Sequence, residues 1–97
     1  MMVVSMLQVI IEFPGVTSIK EKRRSLVSLK SKLMHKFKLS AAEVDLQQSL
    51  QFGQIGCAYV SNKQSLGESV LHKALDFLET AAPGRVHDFQ IYSEIYT

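Results

Sequence analysis

Apolar residues fall into six stretches along this chain, and their spacing switches between the two-residue period of a strand and the 3.6-residue period of a helix. In residues 3–13 the odd positions Val3, Leu7, Val9, Ile11 and Phe13 are apolar. Their β-favouring character and the stop at Pro14-Gly15 predict a largely buried strand. The even positions are mixed, with Val4, Met6 and Ile10 beside Gln8 and Glu12. From Ile19 the period lengthens. Ile19, Leu26, Leu29, Leu33, Met34 and Phe37 fit one helical face, with Val27 at its margin, while Lys20, Arg24, Ser28, Ser31, Lys32, His35 and Lys36 lie opposite. Ser18 and Glu21 have capping-box spacing, so a helix is predicted near 19–37.

Residues 41–47 alternate again, with Ala42, Val44 and Leu46 on one side and Glu43, Asp45 and Gln47 on the other. A turn at Gln47-Gln48-Ser49 leads to a strand that ends near Val60. Ile55, Cys57 and Tyr59 share one of its faces; Gly56 and Ala58, suited to close approach of a helix, share the other. The pattern leaves open which face is inward. A second helix is predicted over 65–81. Ser65 and Glu68 repeat the capping-box spacing, Leu66, Val70, Leu71, Ala74, Phe77, Leu78 and Ala81 form its apolar face, and Pro83-Gly84 ends it. In the last stretch, Val86 to Tyr96, Phe89, Ile91 and Ile95 alternate with Asp88, Gln90, Tyr92 and Glu94.

The order is therefore β-α-β-β-α-β. Right-handed crossovers in its two β-α-β halves would put both helices on one face of a four-stranded antiparallel sheet, an α+β, ferredoxin-like sandwich. At 97 residues the expectation is one domain spanning 1–97. That fold hosts many functions and identifies none.

Charge adds a second pattern. Residues 20–38 hold eight of the chain's eleven Lys and Arg against one acid, Glu21, a net +7; the other three bases and eight acids make the rest net −5. Lys20, Lys22, Arg23 and Arg24 crowd the first turns of a helix, where the positive end of the dipole disfavours each by a few tenths of a kcal/mol. A charge run is most often a solvated face. A helix start with free N–H groups and flanking cations also suits a phosphate.

Other chemistry is thin. The three histidines are scattered, with no H-E-x-x-H, C-x-x-C or mixed Cys/His spacing, and no phosphate loop is present, so no metal, cofactor or catalytic site is expected. Cys57, the single cysteine, sits among apolar neighbours and reads as a small core residue. It excludes an internal disulfide and favours a reducing compartment. With no signal peptide and no stretch long enough to span a bilayer, a cytoplasmic location is expected, away from membranes.

Three segments resemble a known family. Ser18-Ile19-Lys20-Glu21-Lys22-Arg23-Arg24 is similar to the family's SLKEKR segment, Ser40-Ala41-Ala42-Glu43-Val44-Asp45 to its SVAEVD, and Gly56-Cys57-Ala58-Tyr59-Val60-Ser61-Asn62 to its GVAVVSND. These belong to the YlxP-like proteins, a small bacterial family of unassigned function, and their order and spacing match over nearly the whole chain. The resemblance implies a ferredoxin-like fold and a loose link to translation. It carries over no active site.

The leading expectation is a non-catalytic RNA- or ribosome-associated binding protein that acts through its first helix, with Lys20, Lys22, Arg23, Arg24, Lys32 and Lys36 as the nucleic-acid contacts. Base stacking on the sheet is disfavoured, because Glu12, Glu43, Asp45, Asp88 and Glu94 are expected on its open face and would repel a phosphate backbone. The alternative is a protein-interaction module that forms a homodimer through the sheet face or edge, motivated by Val4, Met6, Ile10 and the terminal tyrosines. An enzyme ranks third. Acyl-phosphate hydrolases of this fold need an arginine in the loop after the first strand, and Phe13-Pro14-Gly15-Val16-Thr17 supplies none.

Overall fold

Six elements succeed one another in a computed structural model that describes residues 1–81 and 83–97: β1 (Met2–Glu12), α1 (Ile19–Phe37), β2 (Ser40–Asp45), β3 (Phe52–Ser61), α2 (Gln64–Thr80) and β4 (Arg85–Tyr96). The strands form one antiparallel sheet in the order β2-β3-β1-β4. β1 pairs with β3 on one side, Leu7 opposite Cys57, and with β4 on the other, Leu7 opposite Ile91. This is the ferredoxin-like α+β arrangement. Both edge strands carry a register shift, β2 between Glu43 and Asp45 and β4 opposite Ile10 and Ile11. Such bulges discourage uncontrolled edge pairing.

The odd positions of β1 face the helices. Leu7, Val9, Ile11 and Phe13 join Ile55 and Cys57 of β3, Leu26, Leu29 and Leu33 of α1, and Leu71, Ala74, Leu75 and Leu78 of α2 in one buried core. Register then settles the faces of the other strands. Ile55 and Cys57 point inward, so Gly56 and Ala58 lie on the open side of the sheet, away from both helices. The close helix approach expected at those two residues is made elsewhere, by Gly67 of α2. A Cβ there would lie 2.2 Å from Ser5 Oγ and 2.9 Å from Ser5 Cβ, so only a glycine lets the helix sit this close to β1. Ser5, fully buried, meets Ser93 Oγ at 2.8 Å, and Ser93 donates to Glu68 Oε2 at 2.6 Å.

β2 reverses the facing expected for residues 41–47. Ala42 and Val44 are exposed on the open side, with Val44 against Gly56, whereas Ala41 packs toward the core. Glu43 shares that helix side; it is half-buried, and its Oε2 is buried with no hydrogen-bond partner among the described residues. The short strand has too few core-facing positions for alternation alone to orient it.

Helix ends follow local chemistry. Ser18 Oγ accepts from Glu21 N at 3.1 Å, as its spacing predicts, but the Glu21 carboxylate reaches Thr17, accepting from its N–H and hydroxyl, rather than Ser18. The second capping box does not form. α2 begins one residue early, with Lys63 as an N-cap lacking a side-chain bond, and Glu68 accepts instead from Gln64 and Ser93. Gly15, at φ 79°, turns the chain after Pro14 in the left-handed region glycine enters without strain.

Candidate nucleic-acid interface

α1 lies over the β2–β3 side of the sheet with Leu26, Leu29 and Leu33 inward, which leaves a broad outer face to solvent. The six cations expected at the interface do not share it. Lys20, Arg23, Arg24, Lys32 and Lys36 are exposed, whereas Lys22 is completely buried. Lys22 Nζ donates to the carbonyls of Leu46 and Phe52, each at 2.9 Å, and to that of Ser49. This lysine therefore leaves the candidate interface. It precedes Leu26 by one helical turn on the inward row, so its stem enters the core and its ammonium emerges beneath the β2–β3 connection. Burial pushes its pKa below the ordinary lysine value, the nearby Glu43 carboxylate opposes that, and Arg23 adds to it.

The five exposed cations form two groups. Lys20 and Arg24, four residues apart, stand on one row in the first two turns, with Arg23 beside them. Lys32 and Lys36 occupy a second row, roughly 20 Å further along the helix axis at 1.5 Å per residue. That row runs toward α2, where Lys36 Nζ lies 5.2 Å from the Phe77 ring centroid and 5.9 Å from that of Phe37. Lys36 is thus partly engaged by the protein's own aromatics. Val27 (61% exposed) and Met34 (40%) interrupt the cationic surface, and Met34 leaves the apolar face assigned to it.

Among the described residues none of Lys20, Arg23, Arg24 and Lys32 takes part in an ion pair; the pair present is Arg85–Glu12, at 2.8 Å, on the open face. Glu21, the acid of the first turn, is occupied by Thr17. The open face itself carries Glu12, Asp45, Asp88 and Glu94 but not Glu43. One carboxylate fewer than expected faces out, and the contrast between a basic helix layer and an acidic sheet layer remains.

The described residues bring together no group of three or more His, Cys, Asp or Glu able to hold a metal ion. Cys57 is buried, and burial pushes its thiol up to about 11, away from a reactive thiolate. His35 and His72 are exposed on separate helices, and the His87 ring lies 5.0 Å from that of Phe52. No described helix is long and apolar enough to cross a membrane.

Fold and surface together define a small ferredoxin-like α+β protein with one basic and one acidic layer. The chain belongs to the DUF503 family, described as proteins of unknown function, whose model matches residues 4–91. In structure it is similar to the crystal structure of At3g17210 from Arabidopsis thaliana, with a TM-score of 0.52 and 16% sequence identity over 97% of this chain and 95% of that one. At that identity the likeness concerns the fold alone. No curated protein matches the chain in sequence.

Proposed function

We propose that this protein is a non-catalytic RNA-binding protein of the cytoplasm, which holds the phosphate backbone of RNA or of a ribosomal particle along α1. The observation that carries this reading is the cluster of Lys20, Arg23 and Arg24, exposed and without ion-pair partners among the described residues, at the helix end where cations are least favoured. The fold makes no use of these three side chains, unlike Lys22. Lys32 and, more weakly, Lys36 extend the contact along the helix. The resemblance to the bacterial YlxP-like proteins, with their link to translation, points the same way. Backbone contacts of this sort position RNA without reading its sequence.

The test is the salt dependence of binding to structured RNA. With about four phosphates neutralised, the logarithm of affinity should fall against the logarithm of salt concentration with a slope of roughly −3 to −4. Arg23→Glu combined with Arg24→Glu should weaken binding to all RNA sequences alike and leave the far-ultraviolet spectrum unchanged. A folded double variant with wild-type affinity and slope would overturn the assignment.

A further inference from the structure

The side of the sheet away from the helices has no cover. At its centre Met6, Ala42, Val44, Gly56, Ala58 and Tyr92 line a shallow apolar groove of about 470 Å³. Val44 in the groove is 48% exposed, and apolar exposure continues beyond it with Val60 62% and Tyr96 48% exposed. Small residues at Gly56 and Ala58 keep the surface flat enough for another layer to approach closely. We infer that this face docks a second copy of the chain, sheet against sheet, in a symmetric homodimer.

Charge and polarity select the occupant. Glu12, Asp45, Asp88 and Glu94 surround an uncharged centre, and Arg85 is already paired with Glu12, so the face repels nucleic acid and, among the described residues, offers no free cation to an acidic partner. The polar groups at the centre form a row across three strands. Gln54 Nε2 donates to Gln8 Oε1 at 3.0 Å, and Gln8 Nε2 donates to the Tyr92 hydroxyl at 3.2 Å. Among the described residues this row has an unused acceptor at one end, Gln54 Oε1, and an unused donor at the other, the Tyr92 O–H. Two copies related by a two-fold axis satisfy both ends reciprocally, because an isologous contact is made twice.

The available area is sufficient. Four strands about 4.8 Å apart and on average roughly ten residues long, β2 being the short one, present on the order of 600 Å² per copy, or about 1,200 Å² for the pair, above the ~1,000 Å² expected of a specific interface. The register shifts in β2 and β4 lie at the sheet edges, where they hinder edge-to-edge pairing and leave the face as the open surface.

Sedimentation of the full chain from about 5 to about 500 µM tests this directly, because interfaces at the low end of the size scale are weak ones. Ala58→Glu and Met6→Glu, which place charge on the exposed groove without touching the core, should give monomers with wild-type circular dichroism. Val27→Glu, on the outer side of α1, should dimerise as the wild type does. Tyr92→Phe, which leaves the packing intact but removes the hydroxyl that accepts from Gln8 Nε2 and supplies the outward donor, should raise the dissociation constant roughly fivefold. A wild-type chain that stays monomeric throughout would overturn the proposal. So would a dimer that survives both groove substitutions, because it would be formed by an edge or by the helices.

Discussion

Lys22→Met replaces a buried ammonium with an apolar side chain of similar length, and the structure sets the size of its effect. The ammonium serves three carbonyls, those of Leu46, Ser49 and Phe52, which bracket the connection between β2 and β3. Leu46 sits at φ 62°, a left-handed conformation that costs a leucine about 1–2 kcal/mol, and this conformation contributes to aiming its carbonyl at the lysine. Hydrogen bonds to a charged group are worth about 1.5–3 kcal/mol each, so three amount to roughly 5–9 kcal/mol before the cost of burying the charge. That cost is several kcal/mol. The net loss on substitution is then about 3 kcal/mol, a large share of the roughly 5–15 kcal/mol that holds a domain together. In urea, with a slope of about 1–3 kcal/mol per molar, the midpoint should fall by roughly 1–3 M. Amide exchange should quicken first at residues 49–52, where the carbonyls lose their anchor. The salt slope of RNA binding should not change, because this lysine never reaches the surface. A variant within about 0.5 kcal/mol of wild type would refute the account and return Lys22 to the list of dispensable cations.

Gly67→Ala places a methyl group 2.2 Å from Ser5 Oγ, between two elements that cannot easily separate; it should cost about 2–3 kcal/mol in chemical denaturation despite the better helix propensity of alanine. Partial recovery in Gly67→Ala combined with Ser5→Gly would locate the clash, and no recovery would argue against it. Cys57, raised to about 11 from an ordinary 9.0, keeps its proton in the folded state at pH values where the unfolded chain releases it. Folding stability should therefore fall as pH rises from 9 through 11, by up to about 3 kcal/mol relative to Cys57→Ala measured over the same window, and native protein at pH 8 should resist thiol reagents until it unfolds. Rapid modification of the folded chain at pH 8 would refute that reading.

The architecture was legible because its long elements carry redundant signals. From β1 through the adjoining Phe13 five odd positions and a Pro-Gly stop agree, and in α1 the apolar row and the Ser18 cap agree, so the helix bounds 19–37 were predictable to the residue. β2 lacked that redundancy. Its six residues offer two possible apolar sides, Ala41 with a glutamate or Ala42 with Val44, and alternation favours the second. Tertiary pairing favours the first, because β3 must place Ile55 and Cys57 in the core and β2 has to follow its register. The cap of α2 failed for a related reason. Ser65 and Glu68 have the spacing, but Gly67 must sit against Ser5 and Glu68 is taken by Ser93, so the packing of the first turn overrides the local motif.

Lys22 is the instructive miss. Counting charge over residues 20–38 treats every cation as equivalent, yet helical geometry divides them. Lys22 lies four residues before Leu26, seven before Leu29 and eleven before Leu33, on the row those leucines bury. A lysine on an apolar row either ends its helix face or sends its ammonium through the core to a polar destination, and the connection after β2, with its exposed carbonyls, supplies that destination. The same geometry sharpens the functional reading. Once the structural cation is subtracted, Lys20, Arg23 and Arg24 remain on the solvent side of the same turns, where they repel one another and oppose the dipole. Burial explains a cation that stabilises the fold; it does not explain three that work against their own helix. An anionic partner, absent from the folded chain itself, is what would turn that local cost into binding energy.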